Sequence, residues 1–188
     1  EGVLSLQPDV LLASHEAGPP HVLAQLSGAG VKVILVEGNY SFAGLLNRIA
    51  MVGKATGRER EASVLQERLS RQWKNLRQQI DTAPPVNAEG GVLRVTVLMA
   101  HGAMVMAAGA DSGGDAMLTM AEANNAFASQ FRGYKPVSAE AMVAAAPDVI
   151  VVTQSDDEAL DIDGLISRVP GLALTPAGRN RRIVPVDI

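Results

Sequence analysis

A fourteen-residue pattern at the start of the chain occurs again 139 positions later, and the two copies align without a gap. The first copy covers residues 1–14 and the second covers residues 140–153. Each begins with an acid, continues as a short helical segment, and is broken by Pro-Asp before an aliphatic run of strand length. Repeats constrain a fold strongly, and this separation is far too long for a solenoid. The repeat therefore predicts two lobes of similar design.

Aliphatic runs of strand length alternate with helical patterns along both halves of the chain. The runs lie at residues 10–13, 31–36, 92–99, 149–152 and 183–186. A strand, a helix and a second strand within about thirty residues are typical of a parallel pair with a crossover helix. The alternation predicts an α/β fold with a parallel sheet in each lobe.

The longest helical pattern covers residues 57–81, where apolar residues recur at steps of three and four. At 1.5 Å per residue it would be about 37 Å long, the diameter of a small domain. An amphipathic helix packed on a single core would carry the same stripe. Because a copy of the repeat lies on either side, we predict a helix that joins the lobes. The predicted parts are an N-terminal lobe at 1–55, the linking helix at 56–82 and a C-terminal lobe at 83–188.

Three local signals predict where helices begin and end. Gly53 is expected to close the helix that precedes the long one. Thr56 followed by Glu59 fits a capping box, in which two side chains bind free backbone amides at a helix start. Ser112 with Asp115 is expected to cap a helix in the second half.

Composition and motifs argue against several classes of protein. The net charge is −4 and no basic stripe with interleaved aromatic residues is present, so a nucleic-acid partner is not expected. The absence of cysteine excludes disulfides, thiolate metal sites and cysteine nucleophiles. No apolar run approaches the roughly 20 residues of a membrane span. An enzyme or a nucleotide-binding α/β domain would need a phosphate loop or a nucleophile with its base, and no such motif occurs.

Two histidines and two methionines are candidate ligand-binding residues. His15 and His101 each directly follow a predicted strand, and open α/β sheets bind ligands beyond the carboxyl ends of their strands. His21, in contrast, lies in a predicted first helical turn and is expected on the surface. Met104 and Met106 offer thioether sulfur, a soft ligand that adapts to flat apolar surfaces. The alternative role for the methionines is to fill a hairpin or a gap in the core.

A loop ahead of the second repeat copy contributes two further candidates. Tyr134 could stack on a ligand and Arg132 could pair with its carboxylates, although both could equally serve the packing of the loop. The glycine-rich stretch 109–115 brings backbone amides to a helix start, a geometry that can bind anions. Because Asp111 and Asp115 would repel an anion there, we expect ordinary helix capping.

Several of these segments together resemble the haemin-binding periplasmic proteins of bacterial ABC importers, a class shared with siderophore and cobalamin carriers. The resemblance covers essentially the whole chain. It rests on Glu-Gly-Val-Leu-Ser-Leu-x-Pro-Asp at 1–9, Ala-Gly-Pro-Pro at 17–20, the turn and helix of 109–120, and Gly-Tyr-Lys-Pro-x-Ser-Ala-Glu at 133–140. It implies two α/β lobes joined by one long helix, with haem as the transported ligand in the cleft between them. A ferric siderophore or cobalamin carrier is the alternative within the class.

The resemblance also implies partners. The protein would capture haemin in the periplasm and deliver it to an ABC permease dimer without chemistry. The ligand contacts would come from the six side chains singled out above. Glu1 and Glu140, the acids that open the two repeat copies, match the residues that dock on arginines of the permease. Two carboxylates held apart by a rigid helix suit a partner of two-fold symmetry.

The comparison with the family further implies that the sequence is truncated at both ends. Family members carry a strand, a helix and usually the haem-ligating tyrosine ahead of the position of Glu1, and a helical segment beyond Ile188. The first lobe is then expected to be incomplete and the usual tyrosine ligand to be missing. Apolar surface would be either exposed or buried by self-association through an unpaired sheet edge. Weak haemin binding is the expected result.

Overall fold

The fold is given by a computed structural model, which describes residues 2–14, 17–36, 38–82, 86–87, 90–101, 104–154 and 161–187. Its helices are α1 Gly2–Ser5, α2 Pro20–Gly28, α3 Phe42–Thr56, α4 Glu59–Thr82, α5 Gly113–Met120, α6 Ala139–Ala145, α7 Ile162–Arg168 and α8 Pro176–Arg179. Its strands are β1 Val10–Ser14, β2 Lys32–Val36, β3 Arg94–His101, β4 Met104–Ala108, β5 Asn124–Asn125, β6 Tyr134–Lys135, β7 Val149–Gln154 and β8 Ile183–Asp187. The chain divides into two compact units, Glu1–Gln78 and Gln79–Ile188.

The first unit contains a parallel pair of strands, as the sequence predicts. β1 and β2 pair in parallel with Leu11 opposite Val33, and α2 connects them along the chain. Pro20 is the first residue of α2, where its missing N–H costs no helical hydrogen bond. The α/β fold class is confirmed. The predicted boundaries of the linking helix and of the two lobes stay predictions.

The predicted helix end at Gly53 is wrong. α3 continues past it to Thr56 and ends at Gly57, whose φ of 68° lies in the left-handed region. A Cβ atom on Gly53 would lie 2.5 Å from the Cβ of Ala62, a buried residue of α4. Glycine is therefore required here by the close approach of two helices, and its position in the sequence gave the misleading appearance of a helix end.

The capping box predicted from Thr56 and Glu59 is also wrong. Thr56 is the last residue of α3, and its hydroxyl donates to the carbonyl of Val52 at 2.8 Å. The left-handed Gly57 separates it from α4, which begins at Glu59. A long helix is present where the sequence pattern of 57–81 predicts one, and its role as a link between lobes stays a prediction.

Helices α3 and α4 pack against each other through aromatic and polar contacts. The rings of Phe42 and Trp73 stack with their centroids 4.9 Å apart. Gln66 donates a side-chain hydrogen bond to the carbonyl of Leu46 at 2.9 Å. The apolar stripe of α4 is nevertheless only partly covered, because Ala62 is its one fully buried residue and Leu76 is exposed.

The second unit contains a mixed sheet with strand order β6-β4-β3-β7-β8, and β5 pairs with β3 off this path. β3, β7 and β8 are parallel to one another, as predicted. β4 and β6 are antiparallel to their neighbours, so the expectation of a purely parallel sheet is wrong for this side. The physical reason is the two-residue connection between β3 and β4, which is too short for the crossover that parallel strands require.

The second unit has a dense apolar core. The side chains of Leu98, Phe127, Met142, Ile150 and Leu172 are at most 1% exposed and belong to one cluster. In the part of the chain that the structure describes, no helix is long and apolar enough to cross a membrane.

Candidate functional site

Three of the predicted ligand residues lie on one hairpin in the second unit. The chain reverses direction after β3, and the register places His101 opposite Met104 and Met99 opposite Met106. The reversal occurs at the carboxyl end of β3, beside the parallel strand β7. His101 thus lies at the sheet edge where α/β proteins bind ligands, as its position in the sequence indicates. The alternative role for the methionines was to fill a hairpin or a gap in the core. The backbone here is a hairpin, and Met106 is half-buried within it.

In the first unit, the two parallel strands β1 and β2 end at the same edge of their sheet. Ser14 at the end of β1 is the register partner of Val36 at the end of β2. His15 follows Ser14 directly but lies outside the described residues. Tyr40 lies in the loop after β2 and its side chain is exposed. Tyr40 was not among the predicted site residues, although the rule that selected His15, proximity to a strand's carboxyl end, would also have selected it.

Tyr134 is held in place by structural contacts. Its hydroxyl accepts a hydrogen bond from the backbone N–H of Gly114 at 3.0 Å, in the first turn of α5. Its ring packs against the small buried cluster that contains Val97 and Leu118. Both contacts are of the kind expected if Tyr134 serves the packing of its loop, which was the alternative left open by the sequence. A role of Tyr134 in ligand binding stays a prediction.

Arg132 forms an ion pair with the carboxylate of Asp111. The two side chains are 83% and 61% exposed, so water screens the pair and its contribution to stability is small. A ligand carboxylate could therefore compete with Asp111 for the guanidinium at little cost. Binding of ligand by Arg132 remains a prediction.

The glycine-rich turn before α5 serves helix capping, as expected. The hydroxyl of Ser112 accepts from the N–H of Asp115 at 3.1 Å and donates to the carbonyl of Gly109 at 2.8 Å. The Asp115 carboxylate accepts from the N–H of Asp111 at 3.1 Å and from the side-chain amide of Asn125 at 2.9 Å. Carboxylate and hydroxyl oxygens thus occupy the positions that a bound anion would need.

Glu140 presents an exposed charge in the first turn of α6. Ser138 caps this helix by accepting from the N–H of Ala141 at 3.2 Å. The pKa of Glu140 is lowered, first by a hydrogen bond from its own backbone amide and then by one from the Ser138 side chain. The side chain therefore stays negatively charged in mildly acidic solution. Glu1, its counterpart in the first repeat copy, lies outside the described residues, and docking by either acid stays a prediction.

No metal centre is evident in the described part of the chain, where no group of three or more His, Asp or Glu side chains could hold an ion.

A family model described as "Periplasmic binding protein" matches residues 1–187, and the chain belongs to that family. Among curated relatives, the chain is 30% identical over 155 residues to an uncharacterised ABC transporter substrate-binding lipoprotein, YvrC, of Bacillus subtilis (strain 168). That match covers 81% of this chain but only 48% of the relative, so the chain spans about half of the relative's length.

Two solved structures of periplasmic haem-binding proteins are similar to the chain. BhuT, solved in complex with two haems, is 36% identical with a TM-score of 0.82, and the match covers 99% of this chain and 69% of BhuT. HutB of Vibrio cholerae is 32% identical with a TM-score of 0.78, and the match covers 99% of this chain and 70% of HutB. The predicted class and the predicted periplasmic location are confirmed.

Proposed function

We propose that the chain is the haem-binding part of an ABC importer and that it passes its cargo to the permease without altering it. The observation that carries this proposal is similarity, along 99% of the chain, to two proteins whose structures are those of haem-binding proteins. Both identities exceed 30%, and the relatives found are binding proteins of transporters rather than enzymes.

The chemistry of haemin matches the residue types at the candidate site. Haemin has a flat apolar ring, a ferric iron with free axial positions, and two propionate carboxylates. His101 supplies an imidazole, a frequent axial ligand of haem iron. Met104 and Met106 supply thioethers that can contact the ring or the iron. Arg132 supplies a solvent-exposed guanidinium for a propionate, since its partner Asp111 is weakly held.

The proposed partner is a permease dimer that recognises surface carboxylates. Glu140 supports this because it is exposed and carries its charge at the start of a helix. Glu1 is proposed as the equivalent acid of the first unit, on the basis of the sequence repeat alone. The cleft between the lobes that the resemblance implies stays a prediction.

Absorbance titration of the chain with haemin, a ferric siderophore and cobalamin tests the cargo. We expect a saturable Soret shift with haemin and no saturable change with the other two ligands. Because the sequence predicts weak binding, the titration must extend well above micromolar concentrations. Saturable binding of the siderophore or of cobalamin, with none of haemin, would contradict the proposal.

Matched histidine variants locate the contact. His101→Ala is expected to weaken haemin binding about tenfold, the order of one axial or charge-assisted contact. His21→Ala is the control, because His21 lies exposed in the first turn of α2. Equal losses in both variants would show that the Soret change reports histidines in general and not the hairpin.

A further inference from the structure

Four residues with soft or imidazole donors lie close together in the sequence around the turn from β3 to β4. They are Met99, His101, Met104 and Met106, so three of the chain's seven methionines fall within eight positions. His101, Met104 and Met106 are predicted haem contacts, whereas Met99 has no role in that prediction. These four positions are called the methionine block below.

The hairpin brings the four positions of the block onto one face of the sheet. Met99 is the register partner of Met106, and His101 is the register partner of Met104. Positions two apart on a strand lie on the same face, and directly opposite positions have Cβ atoms about 4.5–5.5 Å apart. The block is thus about 5 Å wide and about 7 Å long. Because methionine is unbranched and has three rotatable bonds, sulfur atoms at neighbouring positions can reach one common ion.

Neighbouring residues identify this face of the sheet. Val97, two positions before Met99, is buried in the small apolar cluster of the second unit, and so is Ala108, two positions after Met106. Helix α5 covers these two residues, because a Cβ atom on Gly114 would lie 2.7 Å from the Cβ of Ala108 and 3.1 Å from that of Val97. The block therefore continues an apolar face that α5 covers at its middle.

The course of α5 leaves the block only partly covered. The chain that follows α5 pairs with the start of β3, where Asn124 is the register partner of Arg94. Met99 and Met106 lie toward the other end of the face and are half-buried. Met142, a methionine of the main core, is only 1% exposed. A small solute can thus reach the sulfur atoms of the block but not that of a core methionine.

The donors of the block are neutral and soft. Thioether sulfur selects Cu(I), and imidazole also binds copper. Mg²⁺ and Ca²⁺ need oxygen ligands, and Zn²⁺ sites are built from thiolate, imidazole or carboxylate. The β7 neighbour of Met99 is Thr153, whose hydroxyl already donates to the carbonyl of Leu98 at 3.4 Å. This donor set differs in kind from groups of three or more His, Asp or Glu side chains, of which the described residues contain none.

We propose that the methionine block is a binding site for one monovalent soft metal ion, Cu(I), held by the sulfur atoms of Met99 and Met106 together with the donors at positions 101 and 104. One register pair alone offers two donors, and the second pair raises the number to four. Because every donor is neutral, the site keeps the single positive charge of the ion, and a half-buried site tolerates one charge better than two. The proposal goes beyond the haem cargo, since it assigns a metal ion to the hairpin itself and gives Met99 a role.

Spectra of the chain labelled with carbon-13 at its methionine methyl groups test the site. Ag(I) is the first probe, because it has the charge and the soft character of Cu(I) and is stable in air. We expect saturation at one ion per chain, with shifts of the methyl signals of Met99, Met104 and Met106. The signals of Met51, in the first unit, and of Met142 should stay in place. The Met142 signal also reports that the core of the second unit is intact.

Leucine variants test the donors, because leucine removes the sulfur at nearly constant volume and should preserve the fold. Met99→Leu and Met106→Leu should each weaken Ag(I) binding at least about tenfold, since loss of an outer-shell partner alone costs that much at a metal site. Cu(I) binding, measured under reducing conditions by competition with a colorimetric chelator, should fall by the same factor. Met51→Leu, at a half-buried methionine of α3, is the matched control and should have no effect.

Four results would overturn the proposal. They are methyl signals of the block that do not move at one equivalent of Ag(I), equal shifts at all seven methionines, equal weakening by Met51→Leu and Met99→Leu, and Zn²⁺ moving the same signals at lower concentration than Ag(I). All these measurements are made without haemin. A chain that fails to bind haemin can therefore still bind the ion, and failure of the metal site leaves the haem proposal untouched.

Discussion

The two units of the molecule begin with the same sequence pattern but bury it to different degrees. In the second unit, Met142 and Ala145 of the repeated helix are buried. Their counterparts in the first unit, Val3 and Leu6, are exposed, Leu6 by 79%. The strands of the two copies nevertheless pair in the same register, and Gln7 and Ala146, which precede the repeated proline, both have left-handed φ angles. A local pattern can thus set helix, turn, strand and register, whereas burial depends on the neighbours that the rest of the chain supplies.

The largest expected difference between the units is in the stability lost when an inward-facing residue of the equivalent strands β1 and β7 is truncated. Ile150→Ala removes a fully buried side chain and should lower the free energy of unfolding by about 2–5 kcal/mol. Leu11→Ala, at the equivalent but half-buried position, should cost about 1 kcal/mol. Urea unfolding followed by residue-resolved amide exchange measures both. Equal costs would show that β1 is covered as fully as β7.

The second-largest difference in stability is expected between variants of the two aspartates of the repeat. Asp148→Ala leaves the N–H of Arg94 without its charged acceptor and should cost about 1.5–3 kcal/mol. Asp9→Ala should leave stability unchanged, since the Asp9 carboxylate has no partner among the described residues. Asp148→Asn is the matched control, because its amide oxygen can still accept the bond. If Asp9→Ala lowered the free energy of unfolding as much as Asp148→Ala does, the expected difference between the two aspartates would be contradicted.

Gly53 tests how tightly helices α3 and α4 of the first unit pack against each other. Gly53→Ala forces α3 away from Ala62 of α4 and should cost about 1–3 kcal/mol. Trp73, the single tryptophan, contacts Phe42 across the same helix pair, so its fluorescence reports the change directly. Gly2→Ala is the control, because a Cβ there meets no atom within 4 Å. Unaltered stability in Gly53→Ala would mean that the helices separate freely.

The smallest expected effect on stability is that of the acids that open the repeat copies. Glu140→Gln should leave unfolding and haemin binding unchanged, because the side chain is exposed, yet it should reduce haem transfer to permease reconstituted in vesicles. Glu1→Gln is the matching change in the first unit. Because the pKa of Glu140 is lowered, docking should persist as the pH falls and be lost only below the usual range of a glutamate. A loss of docking near neutral pH would exclude this carboxylate.

Much of the fold could be predicted because it depends on local signals. The strands of 10–13 and 183–186, the long helix and the Ser112 cap are all set by residues close in sequence, and the structure contains them. The errors arose where distant residues decide. Gly53 looks like a helix end until Ala62 is seen to approach it.

The candidate site was predictable only in part for the same reason. The position of His101 after a strand is visible in the sequence. The contact between the Tyr134 hydroxyl and the N–H of Gly114 joins residues twenty positions apart, and no pattern of residue types indicates it.

The most direct test of the haem-carrier account is an amide spectrum of the chain recorded with and without haemin. Ferric haem is paramagnetic and broadens the signals of nearby amides. The account predicts that the strongest broadening lies in residues 99–106, the hairpin that carries His101 and the two methionines, and that His101→Ala reduces it. Broadening confined to the outer face of α4, or no selective broadening at concentrations where the Soret band shifts, would contradict the account.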